Sequence, residues 1–126
     1  MTSEIPRISD AEWEVMKVLW SSPVPLAASE VVQTLEHSKA WNPKTVRTLI
    51  NRLVEKQALG FDPDGRTYRY YPLAKEEDCV RSETSSLLKR IYGGAMKPML
   101  VNFLKDERLS KEDIAELQAI LEQRKE

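Results

Sequence analysis

Apolar residues recur at helical spacing near the start of the chain. Trp13, Met16 and Trp20 form one stripe, which predicts that a single helix face is buried. Ser9 and Glu12 stand just before this stripe at the spacing of a capping box, so the sequence also predicts where the helix begins. Two prolines, at positions 23 and 25, prevent the helix from continuing past the serines that precede them.

Two more helices are predicted in the next part of the chain. A short one covers roughly residues 28–36, and residues 37–41 are expected to connect it to the third. Asn42 is a favoured N-cap, and Pro43 suits the first turn because its missing N–H has no helical partner there. The third helix buries apolar residues at positions i, i+3, i+4 and i+7, which are Val46, Leu49, Ile50 and Leu53.

The period then changes from helical to alternating. Residues 60–62 and 67–71 are rich in strand-forming side chains, and they flank Pro63-Asp64-Gly65. Proline fixes φ and glycine tolerates a sharp exit, so this tripeptide predicts the turn of a β-hairpin that ends at Pro72. Alternation places Tyr68 and Tyr70 on one side of the second strand, where packing within the hairpin is their expected role.

The rest of the chain is predicted to be helical. One helix ends at Gly93-Gly94, and a second carries a dense apolar stripe over residues 96–104. Ser110 and Asp113 are spaced to cap a third helix, whose apolar face lies within residues 114–121. These helices carry more apolar surface than a small neighbouring domain can cover, which favours a two-fold dimer.

Charge is distributed unevenly, although the whole chain has a net charge of −1. Residues 1–37 carry two basic and six acidic side chains, whereas residues 38–74 carry seven basic and three acidic ones. The remainder, residues 75–126, is nearly neutral. Affinity for nucleic acid depends on the field at the contacting face, so a basic middle segment is compatible with DNA binding.

The order helix, helix, basic helix, hairpin is that of a winged helix-turn-helix. We therefore expect a mainly α fold with a small β-hairpin wing, in which residues 1–74 bind DNA and residues 75–126 form a helical dimerisation domain. A recognition helix inserts the polar face at its N-terminal end into the major groove, where it contacts base edges. The predicted DNA-binding residues are Lys44, Thr45, Arg47, Thr48 and Arg52 of this helix, and Arg66 and Arg69 of the wing.

Other chemistries find little support in the sequence. The single cysteine, Cys79, excludes an intrachain disulfide and has no adjacent base, and with the single histidine, His37, it makes no credible zinc site. We therefore expect no metal or other cofactor, and we expect that the protein is not an enzyme. No apolar run approaches the length of a membrane span, so direct membrane binding is not expected. The single cysteine favours a reducing compartment, so we expect a cytoplasmic location.

The sequence resembles the penicillinase and methicillin-resistance repressors, the BlaI/MecI family, along nearly its whole length. The resemblance rests on the segments ISDAEWEVMKVLW, WNPKTVRTLINRLVEKQAL and GRTYRYYPL, and in the tail on LVNFL and LSKEDIAELQAILEQ. It implies a homodimer that represses a β-lactamase or related resistance operon by binding an inverted repeat in duplex DNA. The cysteine cluster that ends the family's copper-responsive members is missing here, so copper sensing is not expected.

The resemblance also implies a proteolytic switch. A membrane-bound, zinc-dependent antibiotic sensor triggers a cut in the tail, which in this chain would fall between Asn102 and Phe103. Phe103 is expected to anchor the dimer, so that the cut loosens it. The complete set of expected interface residues is Met99, Leu100, Phe103, Leu104, Leu117 and Leu121.

Two other functions remain open from the sequence. The chain could be a winged-helix regulator whose tail binds a small ligand and which changes conformation without proteolysis. It could also be a protein-interaction module that uses the winged-helix shape without binding DNA, in which case it would show no salt-dependent DNA affinity.

Overall fold

The computed structural model describes residues 5–106 and 108–125, which form a mainly helical chain with one small sheet. The elements are α1 Asp10–Trp20, β1 Leu26–Ala27, α2 Ala28–Lys39, α3 Pro43–Glu55, β2 Leu59–Asp64, β3 Thr67–Pro72, α4 Glu76–Tyr92, α5 Met96–Asp106 and α6 Lys111–Gln123. The chain divides into two compact units, the first ending at Glu83 and the second beginning at Thr84.

The first helix begins and ends where the sequence predicts. The Ser9 hydroxyl accepts a hydrogen bond from the Glu12 N–H at 3.2 Å, and the Glu12 carboxylate accepts one from the Ser9 N–H at 2.9 Å. The capping box is therefore confirmed, and it satisfies two amides that a helix N-terminus otherwise leaves unpaired. The helix ends at Trp20, ahead of the two prolines.

The second helix is longer than predicted. It continues through residues 37–39, which were expected to form a connector, and it ends at Ala40, whose φ of 57° is left-handed. Glycine normally marks such a position because it has no Cβ to clash, and alanine gives no such signal. The predicted end at residue 36 is therefore wrong, and the link to α3 is correspondingly short.

The hairpin belongs to a three-stranded antiparallel sheet with the order β1-β3-β2. The sequence analysis missed β1, because two residues are too few to show an alternating pattern. The turn also lies further along the chain than predicted: Asp64 pairs with Thr67, so the loop residues are Gly65 and Arg66. Gly65 has a φ of 65°, which suits the first position of a two-residue hairpin loop. Pro63 lies within β2, where an edge strand tolerates its missing N–H.

The core of the first unit lies between the three N-terminal helices and the sheet. The three tryptophans, Trp13, Trp20 and Trp41, are partly buried against it. The indole N–H of Trp20 donates to the Ala74 carbonyl at 2.9 Å and so ties α1 to the segment after the wing. The buried members of the core are Ile8, Val15, Met16, Leu19, Ala28, Val31, Val32, Leu35, Val46, Leu49, Ile50, Leu53, Ala58, Leu59, Ala74 and Cys79.

The second unit consists of the C-terminal part of α4 followed by α5 and α6. Gly93 and Gly94, with φ of 58° and 89°, separate α4 from α5 as predicted. Ser110 caps α6 by accepting a hydrogen bond from the Asp113 N–H at 3.0 Å, which confirms the third predicted cap. Within residues 5–106 and 108–125, every helix is too short or too polar to cross a bilayer.

Candidate nucleic-acid interface

The third helix has one apolar face and one polar face, and its start is fixed by its cap. The Asn42 side chain accepts a hydrogen bond from the Lys44 N–H at 2.8 Å, and Pro43 occupies the first turn as predicted. All four apolar residues predicted to face inward are buried. This burial fixes the rotation of α3 about its own axis, so its opposite face is held toward solvent.

The exposed face of α3 carries every residue that the sequence analysis assigned to it. Lys44, Thr45, Arg47, Thr48 and Arg52 are all exposed, and Asn51 lies on the same face. The Thr48 hydroxyl donates to the Lys44 carbonyl at 2.9 Å, so its rotamer is restrained. A helix surface of this composition offers cations, hydroxyls and a methyl group to a duplex without prior rearrangement.

The seven basic residues between positions 38 and 74 fall into two groups. Three are paired with acidic side chains: Lys39 with Glu14, Lys56 with Glu12, and Arg69 with both Asp64 and Glu30. The other four form no ion pair within the described ranges, and these are Lys44, Arg47, Arg52 and Arg66. The sequence analysis assigned five of these seven residues to DNA binding, and the structure leaves four of the five without an ion pair in the described residues and available to phosphate.

The two wing arginines have different surroundings. Arg66 occupies the tip of the hairpin and is exposed. Arg69 lies in the middle strand, and its guanidinium donates to Asp64 at 2.6 Å and to Glu30 and the Pro25 carbonyl at 3.3 Å each. The hydrogen bond and charge of Asp64 raise the pKa of Arg69 above its ordinary value. Both arginines were predicted to contact DNA, but only Arg66 has a guanidinium without protein partners in the described residues.

A cleft separates α3 from the wing. It has a volume of about 380 Å³ and is lined by Asn51, Val54 and Glu55 of α3 and by aromatic rings of the hairpin. The Phe61 ring packs edge-on against Tyr68 with a centroid distance of 4.9 Å and lies 6.1 Å from Tyr70. This packing confirms the predicted role of the two tyrosines, which brace the wing from the side that faces α3.

An ion pair between the buried Glu12 and the exposed Lys56 fixes the C-terminal end of α3, and the sequence analysis missed it. Glu12 is only 2% exposed, and its carboxylate accepts a hydrogen bond from the Lys56 ammonium at 2.5 Å. Lys56 is the C-cap of α3, and it also donates to the Arg7 carbonyl at 2.8 Å. Burial alone would raise the pKa of Glu12, but hydrogen bonds from Lys56 and Ser9 outweigh it and lower the pKa below 4.5. The charged pair thus attaches α3 to the start of α1.

The six residues predicted at a dimer interface differ in exposure. Five of them are exposed apolar side chains: Leu100, Phe103, Leu104, Leu117 and Leu121. Met99 is only 4% exposed and is already covered within the chain. The predicted cleavage site, Asn102–Phe103, lies inside α5, where the Asn102 amide donates to the Tyr92 hydroxyl at 3.0 Å.

Cys79 and the other ligand-type side chains offer little reactive chemistry. Cys79 is buried in the core, and burial followed by the charge of Asp78 raises the pKa of its thiol. A protonated, buried thiol is a poor nucleophile, in agreement with the sequence analysis. In the part of the chain that the structure describes, no three His, Cys, Asp or Glu side chains are grouped as metal ligands.

Comparison with known proteins gives close relatives. The chain is 42% identical to the penicillinase repressor of Bacillus licheniformis over 97% of its own length and 94% of the relative's. It is 34% identical to the methicillin resistance regulatory protein MecI of Staphylococcus aureus strain N315, over 96% of this chain and 98% of that one. The agreement therefore includes the tail as well as the first unit.

Two solved structures resemble the N-terminal part of the chain. One is the solution structure of the DNA-binding domain of the repressor BlaI, with a TM-score of 0.55 and 42% identity. The other is the Bacillus licheniformis BlaI monomeric form in complex with the blaP half-operator, with a TM-score of 0.52 and 42% identity. Each match covers 61% of this chain and 93% of the solved chain.

The two BlaI structures confirm the winged helix in the N-terminal part of the chain, and α4, α5 and α6 form the predicted helical tail. The matches also confirm the predictions of a DNA-binding repressor and of a protein that is not an enzyme. The profile described as penicillinase repressor matches residues 8–123, which is nearly the whole chain. The chain belongs to the penicillinase repressor family.

Proposed function

We propose that the chain acts as a homodimeric repressor in the cytoplasm and binds an inverted-repeat operator in duplex DNA, with one α3 in each half-site. The observation that carries this proposal is the exposed face of α3, on which Lys44, Arg47 and Arg52 are free of acidic partners in the described residues. The BlaI relative solved as a monomer on a half-operator supports one winged-helix domain, called the reader below, in each half-site. The operon under control would be a β-lactamase or related resistance operon.

The residues of the interface have different roles in this proposal. Arg47, Thr45 and Thr48 contact base edges, since guanidinium fits guanine and threonine offers both a hydroxyl and a methyl group. Lys44 and Arg52 contact phosphates and so set the register without reading sequence. Arg66 at the wing tip contacts the adjacent backbone.

Dimerisation is assigned to residues 75–126, and DNA binding to residues 1–74. Phe103 is 47% exposed, and the exposed leucines of α5 and α6 belong to the same unit. Exposed apolar area of this extent favours burial against a second copy. A two-fold axis through the tails would present two readers to a palindromic site.

Inactivation would follow a cut between Asn102 and Phe103, triggered by a membrane-bound sensor. Both residues are exposed, but they lie inside α5, so the helix must open locally before the bond is cleaved. The cut removes Phe103 and everything after it, including α6, and thus most of the exposed apolar surface. Because joining two readers multiplies affinity by roughly 10²–10⁴, loss of the dimer releases the operator without any change in the reader.

Truncation after Asn102 tests this mechanism. We expect the truncated chain to sediment as a monomer and to bind a duplex selected by the full chain roughly 10²–10⁴-fold more weakly. Its affinity for a single half-site should equal that of the full chain, which serves as the control that the reader is intact. A truncated chain that still dimerises and holds the palindrome as tightly as the full chain would contradict the proposal.

A further inference from the structure

The side chain of Arg69 connects both edges of the sheet. Arg69 lies in the middle strand, where its Cα is paired with Ala27 of β1 and Asp62 of β2. From this position its Nε donates to Asp64 of β2, and its Nη1 donates to Glu30 of α2 and to the Pro25 carbonyl that precedes β1. We call Arg69, Asp64, Glu30 and the Pro25 carbonyl the wing clamp.

The helix end of the wing clamp is itself fixed. The same Glu30 oxygen that accepts from Arg69 accepts from the Ala27 N–H at 2.9 Å, at the N-terminus of α2. Hydrogen bonds therefore run without interruption from Asp64, near the tip of the hairpin, to the first turn of α2. The sheet itself connects the two regions weakly, because β1 has only two residues.

Arg66 depends on this arrangement. It lies two residues beyond Asp64, in the loop between the paired Asp64 and Thr67, and its guanidinium has no partner within the described residues. A change in the tilt of the hairpin therefore moves Arg66 relative to α3. Arg69 is less available to DNA than Arg66, since its Nε and Nη1 already donate to two carboxylates and a carbonyl.

We propose that Arg69 is a positioning residue for DNA binding: the wing clamp sets the tilt of the hairpin so that Arg66 meets the DNA backbone while α3 occupies the major groove. Arg69 itself makes no phosphate contact in this arrangement, unlike the role expected from the sequence. The inference rests on the role of Arg66 in the proposed function.

Neutralising Asp64 distinguishes this inference from simple electrostatics. Removal of a carboxylate close to DNA reduces repulsion of phosphate and should strengthen binding of every sequence. If Asp64 instead holds the wing clamp, Asp64→Asn replaces its charged hydrogen bond to Arg69 by a weaker neutral one, loosens the hairpin and weakens binding through the contact of Arg66. The two explanations thus predict opposite signs for the same substitution.

The experiment uses the full chain and a short duplex selected by the wild-type chain from a random pool, with Kd measured over a series of KCl concentrations. We expect Asp64→Asn to weaken binding roughly threefold to tenfold and to reduce the slope of log Kd against log salt by about one, although no cation is removed. Arg66→Ala should give the same loss, and the double variant should bind no more weakly than Arg66→Ala alone.

Asp62→Asn is the matched control, because Asp62 is exposed on the same strand and has no ion-pair partner in the described residues. Asp62→Asn should leave Kd unchanged or lower it slightly. Denaturant unfolding should show little change of midpoint for either asparagine variant, since exposed ion pairs add little to stability. If Asp64 only stabilised the fold, its replacement would lower stability together with DNA binding. A loss of DNA binding at unchanged stability therefore indicates a positioning role.

Two results would overturn the inference in different ways. If Arg66→Ala weakens binding but Asp64→Asn behaves like Asp62→Asn, the wing clamp does not position the wing and only this inference is wrong. If Arg66→Ala leaves both Kd and the salt slope unchanged, the wing contact of the proposed function is wrong as well. Additive losses in the double variant would also contradict the inference.

Discussion

The two units of the chain bury their apolar residues to different extents. In the first unit the central residues of every core helix are fully enclosed, as shown by Val15, Val31 and Leu53, each 0% exposed. In the second unit the only buried apolar side chain among the described residues is Met99, while Leu121 is 62% exposed. The helices of both units are amphipathic in sequence, so the two units differ in how far their apolar faces are covered within the chain.

The first unit covers its own apolar residues, whereas the second leaves apolar residues that the proposed dimer would bury. The first unit buries its apolar residues against its own helices and sheet, and burial of this kind is the main source of folding free energy. The second unit gains little from its own packing and leaves apolar area that a second copy can cover. Under the proposed function, folding and assembly belong to different parts of the chain, and four pairs of substitutions test that division.

The largest expected effect compares the same substitution in both units. Leu53→Ala should lower the free energy of unfolding of the first unit by about 2–5 kcal/mol, because it leaves a cavity in an enclosed core. Leu117→Ala should leave that free energy nearly unchanged and instead raise the dissociation constant of the dimer. All three tryptophans lie in the first unit, so tryptophan fluorescence follows its unfolding and sedimentation follows the dimer. Equal shifts of the fluorescence transition by both variants would contradict the division.

Because of the Glu12–Lys56 pair, we expect low pH to reduce the stability of the first unit. The pKa of Glu12 is lowered in the folded chain, so its contribution to stability is complete above pH 4.5 and is lost as the pH falls through the folded pKa. Glu12→Gln should cost about 1–3 kcal/mol at neutral pH and flatten the stability profile below pH 4.5. The fluorescence transition over a pH series provides the measurement.

Glu55→Gln is the matched control for the acid experiment, because Glu55 is exposed and has no ion-pair partner in the described residues. It should leave both the stability and its pH profile close to those of the wild type. A pH profile of Glu12→Gln that parallels the wild-type curve would mean that the Glu12–Lys56 pair does not link folding to acid.

Substitutions on the exposed face of α3 should weaken DNA binding and leave dimerisation unchanged. Arg47→Ala should cost about 1–3 kcal/mol of operator binding and relax sequence preference, whereas Arg52→Ala should weaken all duplexes alike and lower the salt slope by about one. Gel shifts with operator variants over a salt series separate the two. Sedimentation should report the same dimer for both variants, and the reverse pattern of specificity would mean that the two roles are exchanged.

The smallest effect concerns the turn between α2 and α3. Ala40 adopts a left-handed φ, so Ala40→Gly should raise the free energy of unfolding by about 0.5–1 kcal/mol. Ala115→Gly, in the middle of α6, should have the opposite sign, since glycine in a helix interior costs about 1 kcal/mol relative to alanine. Thermal unfolding followed by circular dichroism measures both, and a destabilised Ala40→Gly would contradict the strain argument.

Local signals in the sequence were sufficient for much of the fold. The caps at Ser9, Asn42 and Ser110 combine a side chain that accepts a hydrogen bond with a periodic apolar segment, and each helix start was predicted correctly. The exposed face of α3 followed from the same periodicity. The end of α2 was missed, since alanine rarely adopts the conformation that Ala40 has.

Contacts between distant residues could not be predicted in this way. Glu12 and Lys56 are 44 positions apart, and the local pattern reveals only the capping role of Glu12. In the sequence Arg69 looks like any other cation of the basic segment, because its partner Glu30 is 39 positions earlier. Sequence periodicity shows which face is buried, but the choice of ionic partner depends on how the elements pack.

Pro63 also bears on how copies of the chain can associate. An edge strand displays backbone groups to which another strand can add, and proline lacks the amide proton that such a ladder requires. The neighbouring carboxylates of Asp62 and Asp64 would add charge repulsion between two approaching hairpins. The hairpin therefore resists edge-to-edge aggregation, which would leave it free for the DNA contact proposed for Arg66.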